Sequence, residues 1–422
     1  MIVVAVIVAV AAGFLFGRTR TERVPTGQGK GSSLLLAPGR KPIRYIWTGT
    51  PGRQFTTAEF RAIARDDHLV VIEKGHGNSF GDWDVAARKL GSLDPHLTVL
   101  VDFPAGVFAP ALQQRWGSSF KRAWLLRDEN GDLLKECSAG RCIYRVDVSN
   151  PAYRNFLEEQ VMRRLRAAPY SGVMFDNLHS YDAQRYPTLT TTKIDQLNAG
   201  FRTLLREMRH QIGPKQLFFN GVARSTGDRG FDLLRTANGA QDEFFCYLDN
   251  RNTFRPGSEL ALDDATYQRF ASHHETILES VHLESAAAQA DARHIERYCF
   301  GHYLMSEVPG YTYVQFKWFG LETEGPAIAD NFTTEQTLQL GAPVATFTRS
   351  GNVLRRQFEN GWVVVNIGAL AETITLPEAL TLRNGARAGP AFQKGATYSI
   401  PGMDAAYFLN TPEATPTATV SP

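Results

Sequence analysis

Between residues 42 and 335 the apolar positions of this chain change spacing repeatedly, from short unbroken runs to a helical recurrence and back. The clearest unit is Val146 to Asn177. Asn150 and Pro151 mark a helix start, Tyr153, Phe156, Leu157, Val161 and Leu165 recur at helical spacing, and Pro169 stops the helix. A Tyr170-Ser171-Gly172 turn then leads into Val173-Met174-Phe175, a run suited to a parallel strand covered on both faces, and Asp176 follows directly. The same reading places further strands at Ile43–Thr48, His68–Glu73, Leu97–Asp102, Gln216–Asn220, Asp242–Leu248, Thr276–Glu284 and Tyr311–Phe316. Helices fall between them at Thr56–Arg65, Gly81–Leu93, Asp195–Ile212, Phe231–Ala237 and Ser285–Met305. Eight strands alternating with helices predict an α/β fold closed as a (β/α)8 TIM barrel.

Beyond the barrel the period becomes two. Val344–Arg349, Val353–Phe358, Trp362–Asn366, Glu372–Leu376 and Tyr398–Ile400 read as short strands broken by Ser-Gly-Asn, Glu-Asn-Gly and Arg-Asn-Gly turns, which predicts a small all-β, sandwich-like domain. Within the barrel, Phe103 to Arg145 is too long for an ordinary connection. Trp124-Leu125-Leu126 and Leu133-Leu134 around Glu129-Asn130-Gly131-Asp132 predict a hairpin there. At the other end, Ile2 to Phe16 is an unbroken apolar run followed by Arg18, Arg20 and Arg23, which reads as an export signal or an uncleaved anchor. The expected order is therefore a signal or anchor segment over 1–23, a Gly, Pro and Ser linker over 24–41, and the catalytic barrel over 42–335. A β domain over 336–410 and a Thr and Pro tail over 411–422 follow.

Composition narrows the partners. With 45 basic and 43 acidic residues in 422, no charge excess calls for nucleic acid, and membrane contact is expected only through the N-terminal segment. An extracytoplasmic protein acting on an uncharged or mixed ligand fits better. Cys137 and Cys142 bracket a short Ser-Ala-Gly-Arg loop that a disulfide can close, whereas Cys246 and Cys299 read as buried free thiols. No Cys or His spacing resembles a zinc site, so neither a metal nor a cofactor is expected.

In such a barrel the chemistry sits at the C-terminal ends of the strands. Those ends are rich in acids and amides: Glu73, Asp102, Asp176 with Asn177, Asn220, Glu243 at the opening of the sixth candidate, and Glu284. Carboxylates paired without His or Cys ligands suit glycosidic bond cleavage, in which one acid protonates the leaving oxygen and the other attacks carbon or activates water. Trp83, Tyr144, His179, Tyr181, Tyr247 and Trp318 fall in or beside the loops after strands, where rings can stack on sugars. Each acid has a structural alternative: Asp176 and Asn177 can make an Asx turn, either Asp242 or Glu243 can be the functional acid or a helix cap, and Asn220 can serve by supporting a neighbour. Glu73, Asp102 and Glu284 can orient other groups or bind hydroxyls.

The run VDVSNPAYRNFLEEQVMRRL, then SGVMFDN, LFFNG and DEFF, resembles the barrel glycosidases grouped as hypothetical glycosyl hydrolase family 15, which look related to polygalactosaminidase and α-galactosidase-like barrels. The ending GAPVATFTRSGNVLRRQFENGWVVVNIG, which leads into a β domain, looks like the same arrangement, so the resemblance covers most of Pro42 to Asn410. It implies Asp176 as the fourth-strand nucleophile or base and Glu243 as the acid after the fifth unit, acting on an extracellular poly- or oligosaccharide. One departure is visible, since Ser171-Gly172 stands where such families often carry Asp-Gly. Two rivals remain: a carbohydrate-binding barrel that has lost catalysis, and a metal-dependent deacetylase, against which the missing His-x-His pattern speaks.

Overall fold

The computed structural model describes residues 45–48, 55–73, 79–108, 119–138, 141–178, 180–223, 228–283, 285–318, 338–384 and 387–410. The expected signal or anchor, the linker and the terminal tail lie outside these residues. Among the described residues no helix is long and apolar enough to cross a membrane.

Local chemistry sets the helix starts. Thr56 and Ser79 each accept a hydrogen bond from the backbone three residues on, and Glu59 and Asp82 return it, so α1 (Thr57–Asp66) and α2 (Phe80–Leu93) open on reciprocal capping boxes. Asn150 caps α3 (Pro151–Ala167), whose buried face includes Tyr153, Phe156, Leu157, Val161 and Leu165. Three longer helices follow, α4 (Thr191–Ile212), α5 (Gly257–Ser272) and α6 (Ala292–Ser306), the last preceded by the short helical stretch Ala286–Ala290.

These helices surround a parallel eight-stranded sheet whose strands hydrogen-bond in chain order. Its members are β1 (Tyr45–Thr48), β2 (Leu69–Ile72), β3 (Thr98–Pro104), β4 (Gly172–Asp176), β5 (Gln216–Asn220), β6 (Gly239–Asp242), β7 (Thr276–Leu283) and β8 (Thr312–Trp318). β8 comes back alongside β1, and the fold is the (β/α)8 barrel that the alternation predicts. Between β5 and β6 the expected helix is reduced to a 3₁₀ turn, Gly230–Asp232. Two short paired strands, Val222–Ala223 and Asp228–Arg229, use up the length a helix would need.

The expected hairpin is present in the insertion after β3. Leu134 N donates to Leu126 O, and the chain reverses between Asp128 and Asp132. A three-stranded antiparallel sheet of Val107–Phe108, Lys135–Ser138 and Arg141–Arg145 adjoins it, and Cys137 and Cys142 are joined across it with Cα atoms 4.1 Å apart. Cys246 and Cys299 overturn the expectation of free thiols: they form a second disulfide, Cα atoms 5.5 Å apart. Sequence distance hid this pair, because the barrel brings together a loop after β6 and the middle of α6.

After the barrel come β9 (Thr348–Ser350), β10 (Val353–Phe358), β11 (Gly361–Asn366), β12 (Glu372–Thr375), β13 (Leu380–Asn384), β14 (Arg387–Phe392), β15 (Thr397–Ile400) and β16 (Asp404–Asn410). Six of them form one sheet in the order β9-β10-β11-β16-β13-β14, over which β12 and β15 pair. β11 and β16 pack on α6 so closely that a Cβ at Gly301 would stand 2.6 Å from Ala405 Cβ. Arg356 closes the joint, donating to Leu304 O at 2.7 Å and Met305 O at 3.0 Å, buried carbonyls in the last turn of α6 that lack an intrahelical partner. The Arg-x-Phe-x-Asn-Gly segment of the sequence is thus a fastening between domains.

Candidate active site

Side-chain alternation determines what faces the barrel interior. Leu69, Val71, Leu100, Met174, Phe218 and Leu278 form one buried cluster with Tyr313, and these are the inward positions of their strands. Stepping two residues towards the C-terminal end brings Glu73, Asp102, Asp176 and Asn220 onto the same face, followed by Ser280, then His282, on β7 and Gln315 on β8. Gln241 joins them, registered between Asn220 and Leu278. The apolar floor is therefore roofed by polar groups at the end where barrel sites lie.

Three of these groups are bonded together. Asp176 closes β4 and is 9% exposed. Its Oδ1 accepts from Asn177 N at 2.7 Å and from Asn220 Nδ2 at 2.9 Å, and its Oδ2 accepts from Asn177 Nδ2 at 2.5 Å. The same Asn220 Nδ2 donates to Glu243 Oε2 at 2.6 Å. One amide nitrogen thus bridges the two acids, so Asp176 Oδ1 and Glu243 Oε2 lie no more than 5.5 Å apart, the 2.9 Å and 2.6 Å bonds laid end to end. Asn177 sits in the left-handed region, φ 57°, the conformation in which its own N–H and its amide both reach back to Asp176.

The structure separates Asp242 from Glu243. The sixth strand ends at Asp242 instead of beginning there, a correction to the expected Asp242–Leu248, and Tyr247–Leu248 belongs to a two-stranded hairpin with Thr253–Phe254. Asp242 points outward, where its Oδ2 accepts from Arg255 Nη1 and Tyr267 OH, both at 2.7 Å. Burial pushes its carboxyl up and the Arg255 guanidinium pulls it down, with the rise prevailing. Glu243 is half-buried and turns inward to Asn220.

Other expected residues divide. Glu73 and Asp102 are buried on the inward face, Asp102 within β3, which runs on to Pro104. Tyr181, expected to bind sugar, is 3% exposed, its ring tilted against Tyr186 at 4.7 Å and stacked on Phe201 at 5.8 Å. Tyr247 fills its hairpin against Phe254 at 5.3 Å and donates to Asn252 Oδ1, and Trp83 is buried on α2. Glu284, His179 and the side chain of Trp318 lie outside the described residues. Sequence reasoning missed Gln241, Ser280, His282 and Gln315. The signal is present in β7, where Ser280 and His282 alternate with Val281 and Leu283. The insertion reaches this place too: Ala105 N donates to Asp176 O at 2.9 Å, and Gly106 passes so near that a Cβ would stand 2.1 Å from Asn177 O.

A family model matches residues 102–362, a stretch that begins within β3 and carries β4 to β8 with Asp176, Asn220 and Glu243. The chain belongs to hypothetical glycosyl hydrolase family 15. Where the family's look-alikes often carry Asp before the fourth strand, Ser171 here accepts from Val99 N at 3.1 Å and keeps a side-chain tie at that point. Among solved structures, this family 15 chain is similar to the glycoside hydrolase domain of PelA from Pseudomonas aeruginosa, with 15% identity, TM-score 0.44, and 68% of this chain and 96% of that one covered. It is also similar to an α-amylase from Geobacillus thermoleovorans complexed with acarbose, with 12% identity, TM-score 0.47, and 88% and 98% covered. A third is a GH27 β-L-arabinopyranosidase from Geobacillus stearothermophilus, with 11% identity, TM-score 0.49, and 89% and 97% covered. No curated protein matches in sequence. The assignment to the family rests on its sequence model.

Proposed function

We propose that this chain is a retaining glycoside hydrolase of extracellular poly- or oligosaccharides, with Asp176 as nucleophile and Glu243 as general acid and then base. The observation that carries the reading is the shared amide of Asn220, which holds the two acids within 5.5 Å at their nearest oxygens. Retaining enzymes keep their carboxyl groups about 5 to 5.5 Å apart, whereas inversion needs roughly 6.5 to 9.5 Å to admit a water. A carboxylate has about four lone-pair directions, and three are filled here, with the fourth on Oδ2. Oδ2 attacks the anomeric carbon while Glu243 gives its proton to the leaving glycosidic oxygen. Water then attacks the glycosyl ester, Glu243 takes the water's proton, and Asp176 leaves as the carboxylate.

Glu73, Asp102, Asn177 and Asn220 are assigned to holding sugar hydroxyls or the two acids, and no cofactor is assigned a part. Export is supported by the apolar Ile2 to Phe16 run and by two disulfides, which persist in oxidising compartments.

The test is Asp176→Asn, assayed for reducing ends released from a polysaccharide panel. Release should fall by about 10³-fold or more, with the melting temperature and glycan retention on an affinity gel kept. An Asn variant as active as the wild type removes Asp176 from the reaction. A wild-type chain that retains glycan and releases nothing points to a binding barrel.

A further inference from the structure

Glu243 stands on a short strap whose two ends are fixed by different bonds. At one end, Asp242 is locked outward by Arg255 and Tyr267 at 2.7 Å each. Past Glu243 and Phe244, Phe245 N donates to Ser280 O on β7 at 3.0 Å, and Cys246 then enters the disulfide with Cys299. Cys246 is in the left-handed region, φ 65°, which residues other than glycine seldom adopt. Its carbonyl accepts from Arg255 N at 2.8 Å, so one arginine residue touches both ends of the strap, by its side chain at Asp242 and by its backbone at Cys246.

The far anchor is rigid. Cys299 lies mid-way along α6, and α6 is fastened in turn to the β domain. Arg297 meets Asp404 at 2.6 Å and 2.7 Å, His294 Nε2 meets Met403 O at 2.7 Å, and Arg356 caps its last carbonyls. Both sulfurs belong to residues with 0% exposure, so thiol reductants do not reach the bond in the folded protein.

We infer that the Cys246–Cys299 disulfide is a positioning element for the reaction: it fixes the strap that holds Glu243 against Asn220 and Asp176. The inference rests on the role proposed for Glu243. Catalysis depends steeply on such placement, since a displacement of about 1 Å can cost on the order of 10²-fold in rate. The bond also couples the β domain to the site, through α6.

The test compares Cys246→Ser/Cys299→Ser with the wild type in two backgrounds, with and without Glu243→Gln, well below each variant's melting temperature. In the otherwise native chain, kcat should fall on the order of 10²-fold while KM stays within about twofold. In the Glu243→Gln background the same change should cost nothing further, because the group it positions is already gone. The hairpin variant Cys137→Ser/Cys142→Ser serves as control and should keep native kcat. If the serine pair does not fold, Cys246→Ala/Cys299→Val fills the same buried space with apolar groups and is measured in its place.

A lowered melting temperature with native kcat overturns the inference, as does an equal loss of kcat in both backgrounds. Failure of the functional reading looks different: Glu243→Gln alone would then be fully active.

Discussion

Two groups of carboxylates meet at the C-terminal end of β6, and they are held by different chemistry. On the inner side Asp176 and Glu243 are gripped by amides: the backbone and side chain of Asn177, and the shared nitrogen of Asn220. On the outer side Asp242 and Asp263 both meet Arg255, itself 0% exposed, and Asp264 meets His302 at 2.7 Å, while Ser306 donates to Glu279 at 2.6 Å. Burial lifts the outer acids, Asp263 to about 7 and Glu279 well above the ordinary carboxylate range. Amide donors orient a carboxylate without neutralising it, which suits a group that must attack carbon or exchange a proton. A buried guanidinium neutralises its acids and commits them to the fold.

The sharpest way to break this distinction is to remove one carboxyl from each side of the peptide bond between Asp242 and Glu243. Glu243→Gln should lower kcat by about 10²- to 10⁴-fold on unactivated glycosides, with far less effect on aryl glycosides whose leaving group needs no proton. Its melting temperature should stay near that of the wild type. Asp242→Asn should do the reverse, costing about 1–3 kcal/mol of stability and leaving kcat of the folded enzyme within a few-fold. Activity lost on the Asp242 side alone would exchange the two roles. Arg255→Leu probes the outer group as a whole. It strands Asp242 and Asp263 without their cation and should cost about 3–5 kcal/mol by denaturant melts near neutral pH. The penalty should shrink at pH 5, where the stranded acids take up protons.

How much of this could be read from the chain depends on the range of the contacts involved. Asp176 was legible because strand and carboxylate are adjacent in sequence, and the cap at Asn150 was legible for the same reason, whereas the Ser79 cap opens its helix at Phe80, one residue before the expected start. Choosing between Asp242 and Glu243 was not, because it turns on which one β6 directs at Arg255, thirteen residues on in the link between the hairpin and α5. The Cys246–Cys299 pair, 53 residues apart, needed α6 to be seen lying over the strap. Ser280 and His282 required inward and outward positions to be counted along the whole of β7. In the β domain, Asp404–Asn410 escaped because it is buried on both faces and shows no alternation, a central strand between β11 and β13.

The smallest expected effect concerns two further buried acids, Glu307 and Glu158, and appears only as a slope. Burial pushes the Glu307 carboxyl up to about 7 against the pull of Arg356, and Glu158, buried and beside Glu207, is likewise pushed up to about 7. A carboxyl raised on folding keeps its proton in the native state across a range where the unfolded chain has released it. Its contribution is therefore complete below the unfolded value, near 4.3, and is lost as pH rises through about 7. Unfolding free energy should fall from pH 5 to pH 7. Glu307→Gln cannot ionise, so its melts over the same range should fall less steeply, by up to about 1.4 kcal/mol per pH unit, one proton's worth. An unchanged slope would mean that Glu307 is ionised in the folded protein, with Arg356 holding its charge against burial.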